Sequence, residues 1–435
     1  MNIVTFLFFA LINNVLMARL NYDGNFDEWL ARYRQVSGNQ NPPKMYKNWI
    51  QLASSLKCSI DPMHYRQIFK DLRPYKNQKL TVEKMRELAA KIKEFGVNVS
   101  GMDSSTFIEN RQKWPFMNSL LYLPYVIDPK IDFFTITHIH DEGMVAPADD
   151  DQEQPYTDMA DVIKRSEAVR EAHEEFADNN MLLRAPASFI TVPFDVPVFS
   201  VNKLRGFNDI VVPTIRTGLA AYSGDKIEMA LNAPAWENKQ KRAVFRGSTT
   251  GIDFEKVRRE NIPLTTSLRF KLHEMTMQQR EGKLSCSVEL DFGITEICQC
   301  NQEEGYIQEV KRQFPISNPV DFQTQFQSKY LVIVDGNGWP DRVANFMLSG
   351  SLIFLATLHD EWVTNQLIDG HNYIKVKPDL SDLIEKLEWA AENDEEAKRI
   401  ALNGREFAFK NFGLDKMQVY NTLLFLEYQQ LFSNQ

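Results

Sequence analysis

The sequence predicts an α/β fold built on a parallel sheet, and three observations carry that prediction. Residues 330–357 read as strand, glycine loop, helix and strand, one βαβ unit. Strand-like runs alternate with helical runs through the second half of the chain, the pattern of a parallel sheet with crossover helices. A second strand-like run, residues 243–246, ends as the first does, with glycine and arginine together.

The βαβ unit is the most regular stretch. Residues 330–334 are continuously apolar and β-branched, as in a strand buried on both faces. Two glycines in residues 335–339 let the backbone turn sharply and approach a ligand. Pro340 suits the first turn of a helix, and Val343, Phe346 and Met347 recur at helical spacing. Ser349-Gly350 ends the helix, and residues 352–355 form a second buried strand. Arg342 at the helix start opposes the macrodipole and calls for a negative partner, so this turn reads as an anion site. An ordinary crossover with a surface arginine fits the same spacing.

The 435 residues suffice for two domains of ordinary size. A net charge of −9 without a long basic run excludes a protein built to coat nucleic acid. Cys58, Cys286, Cys298 and Cys300 are too few and scattered for a disulfide framework, so packing cysteines or one disulfide are expected. Residues 3–12 are apolar and Leu16-Met17-Ala18 offers a small-residue cleavage point, which predicts a signal peptide over residues 1–18. A hydrophobic N-terminal helix is the alternative. The apolar stretch is too short to span a bilayer, and no other stretch approaches that length.

Taken in order, residues 19–56 show weak helical spacing and are expected as an irregular lead-in. Residues 81–95 carry Val82, Met85, Leu88, Ala89 and Ile92 on one face of an amphipathic helix. Residues 131–139 alternate as a strand and run into His140-Asp141-Glu142-Gly143. Residues 145–159 are acidic and proline-bearing, a solvated loop or lid. Residues 162–179 predict a charged helix, residues 193–200 a strand, and residues 218–241 a surface crossing between domains. After the βαβ unit come a strand (residues 373–376) and helices at 379–393, 395–412 and 416–432.

Two constellations carry chemistry. Phe245-Arg246-Gly247-Ser248-Thr249-Thr250-Gly251 ends a strand with a cation, glycines and hydroxyls, groups that suit a phosphate. No Gly-Lys-Ser/Thr follows, so it is not a Walker loop. A Ser/Thr-rich turn is the plain alternative. Two glycine-and-arginine strand ends count for more together, because open α/β sheets bind ligands at their strands' carboxyl ends. The second constellation is His138-Ile139-His140-Asp141-Glu142. It reads as a metal pair on alternate residues, as a general base at Asp141, or as a polar strand end without a role.

Several stretches occur together in order: Asp61 to Met85 with Tyr65, Ile68, Asp71-Leu72 and Pro74; Pro197-Val198-Phe199-Ser200 with Lys203, Asp209-Ile210 and Pro213; Phe245-Arg246-Gly247-Ser248 with Thr250-Gly251; and Lys329-Tyr330, Asp335-Gly336-Asn337, Trp339, Arg342 and Ser349-Gly350-Ser351. In these the chain resembles glycosyltransferase family 90, the group of Rumi-type protein O-glucosyltransferases and fungal capsule xylosyltransferases, from about Cys58 to Phe432. The resemblance implies a GT-B-like α/β architecture. Two nucleotide-fold (Rossmann-like) domains, residues 19–217 on the acceptor side and 218–415 on the UDP-sugar side, would face a cleft. A C-terminal crossover helix, residues 416–435, would pack back on the first domain.

The implied activity is inverting transfer of glucose or xylose from a UDP-sugar to a hydroxyl of a protein or polysaccharide, with no metal or other cofactor. Asp141 falls on the family's catalytic base. Lys203, Arg246, Gly247, Ser248, Thr250, Asn337, Gly338, Trp339, Pro340, Asp341 and Arg342 fall on positions at or beside the UDP-sugar. The chain departs from the family in placing Phe254 where Rumi-type members carry a second arginine. Lys256, Arg258, Arg259 and Arg269 are the nearby substitutes. A signal peptide over residues 1–18 predicts the secretory lumen (endoplasmic reticulum or Golgi) or secretion, and without one the cytoplasm is expected. The last residues carry no Lys-Asp-Glu-Leu-type retrieval signal. Two further readings stay open: a metal-dependent hydrolase using His138 and His140, and a non-catalytic carbohydrate-binding relative.

Overall fold

The computed structural model describes residues 26–109, 122–138, 143–149, 154, 156, 159–173, 191–213, 224–300 and 302–432. The expected signal peptide, His140 and Asp141 lie outside the described residues. So do Ile139 and Glu142, residues 150–153, 155, 157 and 158 of the acidic loop, and 174–179 of the charged helix.

From Phe26 on, the lead-in is helical rather than irregular. Helices α1 (Phe26–Ser37) and α2 (Tyr46–Ser55) bury Trp29, Tyr33, Trp49 and Ile50. The Trp29 ring stacks on Tyr46 at 5.1 Å, and its Nε1 donates to the Ile60 carbonyl at 2.7 Å. Weak local periodicity is overridden here by tertiary packing of large aromatics. Helix α3 (Arg66–Leu72) follows, then α4 (Val82–Glu94), where Thr81 caps the first turn by accepting from the Lys84 amide.

The first sheet contains β1 (Ser100–Asp103), β2 (Phe134–Thr137), β3 (Val198–Ser200) and, beyond a short excursion, β5 (Ile210–Val211). Strand β1 is antiparallel to β2; the other pairings are parallel. Strand β2 is shorter than the expected 131–139, because the Asp128–Ile131 turn precedes it. All four of its residues are buried, so neither face of it meets solvent. The expected charged helix is two short helices, Met159–Arg165 and Glu167–Ala172, interrupted at Ser166.

Of the expected crossing at 218–241, residues 218–223 lie outside the described residues, and the rest is only partly a surface segment. A helix, α5 (Gly224–Leu231), forms within it, and Trp236 and Lys239 are buried before the second sheet begins. That sheet has the order β11–β9–β8–β6–β7 and is parallel throughout. Its members are β6 (Gln240–Ser248), β7 (Glu289–Glu296), β8 (Ser328–Val334), β9 (Leu352–Ala356) and β11 (Ile374–Lys375). Helix α6 (Leu268–Arg280) joins β6 to β7, and α7 (Val343–Leu348) joins β8 to β9 as the sequence requires. Gly350 (φ +70°) ends α7 in the left-handed region. Nearly every residue of β8 and β9 is buried, the cause of their unbroken apolar runs.

Two devices join the sheets. Strand β4 (Lys203–Leu204) pairs antiparallel with β10 (His359–Asp360), and Lys70 and Arg205 both form ion pairs with Asp360. At the chain's end, α8 (Leu383–Glu392) and α9 (Asp394–Asn411) lead into α10 (Leu414–Gln429), which is buried at every position from Met417 to Gln429. It lies against α2, where Trp49 Nε1 donates to the Val419 carbonyl at 2.9 Å, and against β2, where Tyr428 donates to the Phe134 carbonyl at 2.7 Å. All four cysteines are free thiols.

The burial of α10 produces one unusual group. Glu427 is 3% exposed and accepts from the Tyr33 hydroxyl at 2.9 Å and from Asn39 Nδ2 at 3.3 Å. Burial pushes its carboxyl up to about 7, against the opposing pull of Tyr33, Lys76 and Asn39. Because the folded value lies above the unfolded one, this group's contribution to stability is complete below about pH 4.5 and is lost as pH rises through about 7. Replacing Glu427 by Gln removes the ionisation. The variant is expected to lose less stability than the native chain between pH 5 and 8, by a difference on the order of 1–3 kcal/mol, read from urea unfolding across that range.

Candidate active site

The carboxyl ends of β6 and β8 lie side by side, since the strands are hydrogen-bonded neighbours in parallel register. Strand β6 is longer than expected and includes Arg246, Gly247 and Ser248. The loop that follows, Thr249-Thr250-Gly251, packs directly on the loop after β8. The Gly251 amide donates to Asn337 Oδ1 at 2.9 Å. Gly251 has φ +82°, and a Cβ there would stand 2.4 Å from the Gly336 carbonyl oxygen, so only glycine allows this approach. The two strand-end loops that the sequence singled out therefore form one surface.

Beyond Gly336, the Gly338 carbonyl accepts from the Gly336 amide at 3.2 Å and closes the turn. Gly338, Trp339 and Pro340 are buried, and Asp341 is exposed. The Trp339 amide reaches Asn202 Oδ1 at 3.4 Å, which ties this loop to the segment after β3. Helix α7 begins at Val343 and has six residues, so its dipole is small, and any anion held here depends on side-chain cations.

The arginines divide into two groups. Arg246 is turned away from the loops: its Nη2 meets Asp291 Oδ1 at 2.7 Å, and Nη1 donates to the carbonyls of Asp291 and Phe245. It clamps β6 to β7. Arg342 lies beside Phe245 and Phe346, its guanidinium carbon 5.8 and 5.6 Å from their ring centres, and donates to the Arg246 carbonyl at 2.5 Å. Of the four candidate substitutes for the missing second arginine, Arg269 from the first turn of α6 is the one at the loops. Its Nη1 donates to the Ser248 carbonyl at 2.8 Å and its Nε to the Asp335 carbonyl at 3.2 Å. Arg258 and Arg259 are engaged with Glu303 and with Glu255 and Glu260, and Phe254 sits in an apolar cluster with Phe270.

Burial, and then the Arg342 charge, push Arg269 down to about 10. Among the described residues neither Arg342 nor Arg269 has a carboxylate within 4.0 Å, whereas Arg246 does. The nearest buried acid, Asp335, is committed elsewhere. It accepts from the Leu358 amide at 2.7 Å and pairs with His359 Nδ1 at 3.1 Å. Burial alone would raise its carboxyl, but His359, Thr357 and the Leu358 amide hold it below the usual range.

Lys203 stands apart from the loops in a buried network. Its Nζ donates to Asp71 Oδ1 at 2.6 Å and to the Asp209 carbonyl at 2.8 Å, with 3% of the residue exposed. Asp209 in turn accepts from Ser200 and from the Met144 and Val145 amides. Lys203 therefore ties α3 to the ends of β4 and β5, with its charge already met inside the protein. Of the histidine constellation, His138 is buried at 3% exposure beyond the end of β2, with His140 and Asp141 outside the described residues. Among the described residues no three His, Cys, Asp or Glu side chains are grouped to hold a metal ion.

Residues 184–435, more than half of the chain, match the family model described as glycosyl transferase family 90. The match begins downstream of the Asp61–Met85 stretch and of Asp141. Protein O-glucosyltransferase 2 of Danio rerio is 28% identical over 243 residues, which cover 54% of this chain and 43% of that protein. Protein O-glucosyltransferase 3 of Homo sapiens is 30% identical over 226 residues, covering 50% and 38%. Protein O-glucosyltransferase 1 of Rattus norvegicus is 28% identical over 257 residues, covering 55% and 58%. The chain thus matches less than two thirds of the length of each of these relatives.

Removing Lys203 leaves Asp71 as a buried charge without its cation. Lys203→Met is expected to reduce the free energy of unfolding by about 3–5 kcal/mol. Lys70→Met, which removes a largely exposed partner of Asp360, should cost about 1 kcal/mol or less. Urea titrations of the two variants test this contrast.

Proposed function

This chain belongs to glycosyl transferase family 90, and from that premise we propose that it is an inverting glycosyltransferase using a UDP-sugar. The donor sugar is glucose or xylose, and the acceptor is a hydroxyl of a protein or glycan. The observation that carries the reading is the meeting of two glycine loops beside two arginines, one buried and one partly buried, that have no carboxylate partner within 4.0 Å among the described residues, at the carboxyl ends of a parallel sheet. An anion of high charge density completes that surface, and a diphosphate has the charge and size for it.

In this reading the chain has two nucleotide-fold domains in the GT-B arrangement, residues 19–217 and 218–415, with residues 416–435 crossing back. The strap of β4 on β10 and the seating of α10 against α2 are consistent with it. Asp141 takes the proton of the acceptor hydroxyl as its oxygen bonds to the anomeric carbon. The bond from that carbon to the β-phosphate oxygen breaks, and UDP leaves with the electron pair. Arg342 and the loop from Asn337 to Asp341, with Ser248 and Thr250 opposite, hold the leaving diphosphate. No metal takes part, and residues 1–18 direct the chain into the secretory lumen. Family membership does not favour the rival hydrolase built on His138 and His140.

The test is UDP release from a panel of UDP-sugars in the presence of EDTA, comparing the native chain with Asp141→Asn. Release with one donor, reduced by a factor on the order of 10² or more in the variant, is the expected result. Release that survives the substitution moves the base to another group. Absence of release from every donor, with no UDP binding by calorimetry, overturns the transferase reading.

A further inference from the structure

The charge at the loop surface is larger than Arg342 alone accounts for. Arg269 is 7% exposed, and its Nε and Nη1 donate to neutral carbonyls, those of Asp335 and Ser248. Those two bonds leave Nη2 without a hydrogen bond to any described residue. Nη2 points at the gap between the loops. A Cβ built on Gly336 would stand 2.7 Å from Nη2 and 2.8 Å from Thr250 Oγ1, so these two donors converge on one point beside a residue that has no side chain. The Arg269 and Arg342 guanidinium carbons lie 5.9 and 5.8 Å from the centre of the same Phe245 ring. Two neighbouring cations of like charge, Arg269 buried and Arg342 partly buried, with no counter-charge within ion-pair distance among the described residues, oppose folding unless an anion joins them.

We infer that Arg269 is a second diphosphate-binding cation of this site, with Nη2 and the Thr250 hydroxyl donating to oxygens of the β-phosphate opposite Arg342. The inference rests on the transferase reading for the identity of the diphosphate, but not for the presence of an anion. Arg246, which the sequence assigns to this task, has its fork filled by Asp291. During transfer Arg269 donates hydrogen bonds and keeps its protons. It offsets the negative charge that arrives on the β-phosphate oxygen as the glycosidic bond breaks. Gly336 is then required because any side chain there would occupy the space between Nη2 and the phosphate.

Calorimetry of the full chain with UDP, uridine and inorganic pyrophosphate tests the assignment, on native protein, Arg269→Gln and Arg269→Lys. The expected result is a loss of at least about tenfold in affinity for UDP and pyrophosphate in Arg269→Gln, and a smaller loss in Arg269→Lys, which keeps the charge but not the fork. Uridine binding should be unchanged. Arg269→Lys also decides the matter if the glutamine variant does not fold. Unchanged UDP and pyrophosphate affinity in either folded variant overturns the role of Arg269 and leaves the transferase reading standing. Pyrophosphate binding that depends on Arg269, with no UDP binding by the native chain, upholds the anion site and overturns the UDP reading. Binding of neither by the native chain overturns both.

Discussion

The buried ion pair between Lys203 and Asp71 is the interaction on which the packing of α3 against the first sheet's strand ends depends. Asp71 comes from α3, and its second oxygen accepts from the Val211 amide of β5 at 3.0 Å. Lys203 begins β4 and also reaches the Asp209 carbonyl, while the Asp209 side chain gathers Ser200 at the end of β3 and the amides of Met144 and Val145. One helix, three strand ends and the segment after residue 142 are thus fixed by groups that cannot reach water. Such a network is unfavourable when half satisfied and rigid when complete. Because Lys203 also belongs to the strand that pairs with β10, the network transmits its position to the second sheet.

On the opposite side of that strap, the second sheet presents charge instead of consuming it. Asp335 at the end of β8 accepts from the Leu358 amide and pairs with His359 Nδ1, and Asp291 is taken by Arg246. The acids near the loops are therefore either engaged or exposed, and the loop surface is left positive although the chain as a whole carries −9. A local field of this kind, set in a low-dielectric surround, attracts an anion more strongly than net charge suggests.

How much was legible in the sequence differs from element to element. The βαβ unit was plain because strands buried on both faces leave unbroken apolar runs, and the glycines between them mark the sharp turn that a strand feeding a crossover helix needs. The lead-in helices were not, because α1 and α2 are held by aromatic contacts with Ile60 and α10 that no local window contains. Arg246 and Lys203 illustrate a second limit. Both stand in stretches that resemble the family's, yet each side chain's direction is set by a partner distant in the chain, Asp291 for one and Asp71 for the other. Arg269 was one of four cations of equal standing in the sequence, and only packing against Phe245 and the Ser248 carbonyl separates it from the rest.

The sequence by itself determined the α/β class, the parallel sheet and the presence of two glycine-bearing strand ends, because period and glycine placement are local properties. The tertiary structure alone decided which cations face the loops and which are spent on carboxylates, since a guanidinium is aimed by partners that folding supplies and not by its neighbours in the chain.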